Sequence, residues 1–200
     1  EQLKQVPPSD DFTTRNARKE YGRAYREEAS KLQAAPTPLR IEAKFDPLFS
    51  NRQELVIMGN AGQRIITAGE LVCLAGATAG LHATQKNDYP ITVMRGHAIS
   101  ELILSRKEIG YTGIGKPSAV IALGQEGVTR RKRIFAELTK ETLVLKAPGV
   151  DLPTTVAKIQ KIDFKAGKIK PKDWALAAIV QLARAKRMLS TDMLNAALEL

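Results

Sequence analysis

Ten residues stand out for the chemistry they can do: Leu55-Val-Ile-Met-Gly-Asn-Ala-Gly-Gln-Arg64, an apolar run that ends in a glycine-containing turn. Such a turn, opening a helix, presents backbone N–H groups to an anion or a polar ligand. Arg95-Gly96-His97 follows about thirty residues later, and a guanidinium held just before a strand is a fixed fork for a phosphate or a carboxylate. The candidate ligand-binding residues are therefore Gly59, Asn60, Gly62, Gln63, Arg64, Arg95 and Gly96. Each has a plainer reading: the glycines can serve only the turn, Gln63 can cap its own helix, Arg95 can form a structural ion pair, and His97 reads as a hydrogen-bonded turn residue rather than a base.

No catalytic centre of standard type assembles from the remaining residues. The chain has two histidines (His82 and His97) and one cysteine (Cys73). That excludes an internal disulfide and an iron–sulfur cluster bound by this chain alone, and no spacing makes a metal site. Cys73 lies among Leu71, Val72 and Leu74, which predicts a buried thiol and a reducing, cytoplasmic setting. The turn is not a P-loop, since no Gly-Lys-Ser/Thr closes it. Nor is it a clean dinucleotide fingerprint, with Ala61 and Arg64 where glycines would stand.

The elements that must position these residues read as an alternation. Strands are expected at 55–58, 82–85, 99–105, 119–123 and 142–145, with one more over 156–162. Helices are expected at 62–79 (with Ile65, Ile66, Leu71, Leu74 and Ala75 facing the core), 125–138, 172–188 and 191–198. Gly80 stops the first, Pro171 opens the third, and Ser190 or Thr191 caps the last. Residues 99–105 alternate so that Glu101 and Ser105 fall on one partly polar face. This pattern predicts a three-layer α/β/α domain over 51–200 with a mixed, largely parallel sheet. Residues 1–50 form a separate proline-containing arm, with one helix over about 14–32 whose narrow apolar face needs a partner surface.

At 200 residues, 44% hydrophobic and 26% charged, the chain is long enough for a sizeable core, and no apolar run approaches the roughly 20 residues of a membrane span. It begins at Glu1 rather than Met, which reads as a trimmed chain or a piece of a longer one. The net charge is +10. Its tightest cluster, Arg130-Arg131-Lys132-Arg133, carries no interleaved aromatic residue. It is open to three readings: a solvated face or a surface for an acidic partner, a nucleic-acid contact, or a site for a phosphate-bearing small molecule.

Taken together, the strand, the turn Gly59-x-x-Gly62-Gln63, the small-residue helix, and Arg95-Gly96 before an alternating strand resemble the gamma subunit or domain of the 2-oxoacid:acceptor (ferredoxin) oxidoreductases. The resemblance runs over about residues 54–198 and does not cover 1–50. The family pattern is roughly Gly-x-Gly-Gly-Gln-Gly, then Arg-Gly-Gly. Ala61, Arg64 and His97 depart from it and narrow the space beside the turn.

The resemblance implies a division of labour. Thiamine diphosphate, magnesium and the iron–sulfur clusters sit on partner subunits, ferredoxin or another acceptor takes the electrons, and this chain supports assembly and helps hold coenzyme A. The overall reaction implied is 2-oxoacid plus coenzyme A plus oxidised acceptor giving acyl-CoA, carbon dioxide and reduced acceptor. The alternatives are a stand-alone Rossmann-like nucleotide-binding protein, which needs an acidic residue ending the second strand where Asp88 is expected in the following loop, and a basic nucleic-acid-binding module.

Overall fold

The computed structural model describes residues 22–24, 40–90 and 95–200. The chain divides into two compact units, Glu1–Arg40 and Ile41–Leu200. In the first, residues 22–24 are helical, and the rest of the helix expected over 14–32 lies outside the described residues. The second unit begins about ten residues before the boundary read from the sequence. Lys44 and Phe45 donate backbone hydrogen bonds to Thr78 O, and Phe45 and Phe49 pack on the core.

The second unit is built on one six-stranded sheet in the order β2-β3-β1-β4-β5-β6. Its strands are β1 (Gln53–Asn60), β2 (His82–Asp88), β3 (His97–Ser105), β4 (Ala119–Ala122), β5 (Leu143–Lys146) and β6 (Lys158–Lys161). β3 runs antiparallel to both β1 and β2, whereas β1, β4, β5 and β6 pair in parallel. The expected mixed, largely parallel sheet is what forms.

Four α-helices accompany it: α1 (Ile65–Ala77), α2 (Gln125–Arg130), α3 (Trp174–Arg184) and α4 (Thr191–Leu198). α1, α3 and α4 pack together on one face, while α2 contacts β1, β3 and β4 from the other. Leu55 to Met58 are fully buried on both faces of β1, as a strand covered on two sides must be. The apolar run of β4 follows the same logic.

Local chemistry sets the boundaries. Gly80, at φ +67°, ends α1 in a left-handed turn: its N–H reaches Ala77 O and that of Leu81 reaches Gly76 O. Ser190 caps α4 by accepting from Met193 N at 3.2 Å. Pro171 opens a short 3-10 turn (Pro171–Asp173) that leads into α3.

Three expectations need correction. The helix expected over 125–138 is α2 followed by a separate 3-10 turn at Lys132–Ala136, the chain leaving helical geometry at Arg131 (φ -111°, ψ 22°). The third helix covers 174–184 rather than 172–188. In α1 the buried residues are Ile65, Ala68, Gly69, Val72, Ala75 and Gly76, and Ile66, Leu71 and Leu74 are only half-buried. The reason is close approach. Gly69 lies over Gln85 and Ser100, and Gly76 over Leu104, so small residues share the buried face with Ile65 and Val72. Cys73 accordingly sits on the half-buried side.

Candidate functional site

In an open α/β sheet, ligands bind beyond the carboxyl ends of the strands, where neighbouring strands send their connections in opposite directions. Here that point lies between β1, whose chain moves off toward β2 and β3, and β4, whose chain moves off toward β5. The turn Gly59–Arg64 stands there. Arg95-Gly96 is brought beside it across 35 residues, because Asn60 pairs with His97 and the Ala61 N–H donates to Gly96 O at 2.8 Å. The two motifs thus form one structural unit.

The turn is braced from within. Gln63 is buried; its Oε1 accepts from Asn60 N at 2.7 Å and its Nε2 donates to Leu123 O at 3.3 Å, tying the end of β1 to the end of β4. Asn60 Oδ1 accepts from Glu126 N at 3.3 Å. Gly59 is itself buried, since α2 leans directly on it: a Cβ on Gly127 would come within 2.5 Å of Gly59 N.

The seven candidate residues therefore separate. Gly59, Asn60 and Gln63 are engaged by the chain's own polypeptide, and Gly96 gives its carbonyl to the turn. Gly62 (φ +84°), Arg64 (φ +54°) and Arg95 are exposed at the rim. Arg64 reaches Asp173 just ahead of α3 (Nη1 to Oδ1, 3.1 Å), and Arg95 has no ion pair among the described residues. What remains exposed is one glycine backbone and two guanidiniums, groups of the kind that can donate hydrogen bonds to an anion.

A polar cluster that sequence reasoning missed lies next to it. Asp88 ends β2 rather than lying in the following loop, which corrects that expectation. Its Oδ1 meets His97 Nε2 at 3.1 Å and its Oδ2 accepts from Arg130 Nε at 3.1 Å. The hydrogen bond from His97 holds the Asp88 carboxyl below its usual range; partial burial opposes this, and Arg130 adds to it. One register step along the same face, buried Glu101 faces Arg131 and lies 3.7 Å from Lys86 Nζ. The signal was present as the polar phase of the β3 alternation, but its partners come from α2 and β2.

This arrangement also decides against the Rossmann-like alternative. Its acidic residue must end the strand beside β1, where it can reach a ribose. Here antiparallel β3 stands between β1 and β2, so Asp88 is a full strand away and already bound on both oxygens.

Among the described residues no group of His, Cys, Asp and Glu can hold a metal ion, and no helix is long and apolar enough to cross a membrane. Burial, with Glu70 nearby, pushes the Cys73 thiol up to about 11, the reverse of what a reactive or metal-ligating thiol needs.

Comparison with known proteins agrees with this geometry. The sequence model of pyruvate ferredoxin/flavodoxin oxidoreductase matches residues 54–200. No curated protein matches the chain in sequence. Among solved structures, it resembles the gamma subunit of the keto/oxoacid ferredoxin oxidoreductase from Geobacter sulfurreducens (TM-score 0.58, 22% identity, covering 74% of this chain and 84% of that one). It also resembles the pyruvate oxidoreductase subunit PORC from Thermotoga maritima (TM-score 0.54, 14% identity, 75% and 85%). A third similar structure is the 2-oxoglutarate:ferredoxin oxidoreductase from Magnetococcus marinus with 2-oxoglutarate, coenzyme A and succinyl-CoA bound (TM-score 0.63, 19% identity). The likeness covers 76% of this chain but only 27% of that one, so this chain spans about a quarter of its length.

Proposed function

Because the chain belongs to the pyruvate ferredoxin/flavodoxin oxidoreductase family, we propose that it is the gamma subunit or domain of a 2-oxoacid oxidoreductase that uses coenzyme A, thiamine diphosphate and iron–sulfur clusters. The reaction is oxidative decarboxylation: 2-oxoacid, coenzyme A and oxidised acceptor give acyl-CoA, carbon dioxide and reduced acceptor. Ferredoxin is the acceptor class this reading implies, and the reducing cytoplasm its compartment. Thiamine diphosphate with its magnesium, and the clusters, belong to partner subunits. One cysteine is too few to hold an iron–sulfur cluster on this chain alone.

The observation that carries the reading is the joining of Gly59–Arg64 to Arg95-Gly96 by strand pairing at the switch point of a sheet matched to this family over 54–200. When bound, coenzyme A supplies the thiol that accepts the acyl group. This chain's part is to hold its phosphates at the rim, with Arg95, Arg64 and the Gly62 backbone, while Gln63 and Asn60 keep the turn rigid. Residues 1–40, the part of the expected arm that precedes the second unit, serve as an arm on a neighbouring subunit or domain.

Two measurements test this. Anoxic purification of the native complex should return cluster-bearing and thiamine-binding subunits with this chain; a lone, metal-free oligomer would overturn the assignment. In the complex, Arg95→Glu should raise the KM for coenzyme A about tenfold with little change in the KM for the 2-oxoacid. An unchanged KM for coenzyme A would remove Arg95 from the site.

A further inference from the structure

Arg130, Lys132 and Arg133 are exposed and Arg131 is half-buried, yet this basic run is more than a solvated ridge, because two of its guanidiniums are anchored. The run closes α2, enters the 3-10 turn Lys132–Ala136, and lines a cleft of about 470 Å³ facing Ile114 of the loop between β3 and β4. Thr129 adds a hydroxyl and Glu137 the one carboxylate. This cleft lies on the face of the sheet opposite α1, and none of the residues of the glycine turn or Arg95 lines it.

Two of the four cations are fixed and two are not. Arg130 is held through Nε by Asp88, and Arg131 through Nη2 by Glu101, which leaves other N–H donors of both guanidiniums open. The Nε of Arg131 is buried without an acceptor. Lys132 and Arg133 are exposed and have no ion pair among the described residues. Tethered guanidiniums lose little freedom when they bind, and a concave wall with low-dielectric backing focuses the field of the charges around it.

We propose that this cleft is a second binding site, for a small anion carrying two or more phosphate groups, separate from the rim at Gly62 and Arg95. The tethered Arg130 and Arg131 form its floor, Lys132 and Arg133 close on the outer oxygens, and Thr129 donates to a bridging or terminal oxygen. The cleft is half open to solvent, with room for a compact polyphosphate. A nucleic-acid strand needs a charged track with aromatic stacking platforms, and no lining residue is aromatic.

The test is isothermal titration of the full chain with tripolyphosphate and with citrate, at 50 and 200 mM salt. Tripolyphosphate should bind more tightly than citrate, with affinity falling as salt rises. K132E/R133E should weaken it at least tenfold with an unchanged unfolding midpoint, and K132Q/R133Q replaces that pair if charge reversal perturbs folding. Arg95→Glu should leave it unaltered. Equal affinity for citrate and tripolyphosphate, or loss of binding in Arg95→Glu alone, would overturn the proposal. So would absence of tripolyphosphate binding; if K132E/R133E also lost a partner subunit from the purified native complex, the cleft would be a protein-docking surface. The arms separate this site from the one at the turn: failure here leaves the coenzyme A reading at Arg95 intact, and the reverse also holds.

Discussion

The two faces of the β2-β3-β1 half of the sheet are built from the same strands and behave differently. On one face Leu102, Leu104, Leu55 and Ile57 lie under α1, whose glycines bring the helix backbone close. On the other, Glu101 and Asp88 meet Arg131, Lys86, His97 and Arg130, and α2 covers them. Leu102 and Glu101 are neighbours in sequence, yet one contributes buried apolar area and the other a charge held by cations from two elements. The α1 face secures the fold. The α2 face anchors two guanidiniums, those of Arg130 and Arg131.

The α2 face is most vulnerable at its backbone contact with β1. Gly127→Val would drive a side chain into Gly59, which is backbone and cannot yield, and should cost at least about 3 kcal/mol or abolish soluble expression. Urea denaturation is the check. Its counterpart on the other face is Gly69→Ala, where the new Cβ meets the ends of Gln85 and Ser100 side chains that can move. With the gain in helix propensity offsetting part of the strain, that change should cost only about 1 kcal/mol.

Adjacent residues of β3 sharpen the contrast. Leu102→Ala should destabilise by about 3 kcal/mol through lost burial and the cavity left behind. Glu101→Gln should cost about 1–2 kcal/mol, less than a fully buried pair, because Arg131 and Lys86 retain solvent contact. If the two losses came out reversed, the α2 face rather than the α1 face would carry the core.

Acid should act on the α2 face through Asp88. The Asp88 carboxyl lies below its ordinary range when folded, first through the hydrogen bond from His97. Stability from it is therefore present above the unfolded value of about 4 and is lost as pH falls through the folded value. Asp88→Asn should flatten the acid limb of the stability–pH profile while leaving stability changes at Leu102 independent of pH.

The smallest effect belongs to Cys73. With its thiol pushed up to about 11, it should react with iodoacetamide at pH 8 at least about tenfold more slowly in the native chain than in urea. Equal rates would place it outside the packed layer of α1.

Much of this was legible from the residues. Apolar runs bounded by glycine gave the strands, because a strand covered on both faces has no polar phase to hide. The turn at Gly59 and the Arg95-Gly96 pair could be marked as related because their residue types suit one anion. The register of β1 and β3 that joins them could not. Gln63 illustrates the limit: a glutamine in a glycine turn reads equally as ligand donor or brace, and only Leu123, 60 residues away, makes it a brace.

By itself the sequence determined the alternation of strands and helices, the absence of a cluster-ligating cysteine set, and the positions where the backbone must turn. These follow from local sterics and from which side chains exist at all. Tertiary structure alone decided that β3 inserts antiparallel between β1 and β2, which moves Asp88 away from the switch point and into the grip of His97 and Arg130. It also turned a basic run into a cleft with two anchored guanidiniums. Strand order and charge pairing depend on contacts between residues distant in the chain, and no local pattern encodes which of several possible partners a charge will meet.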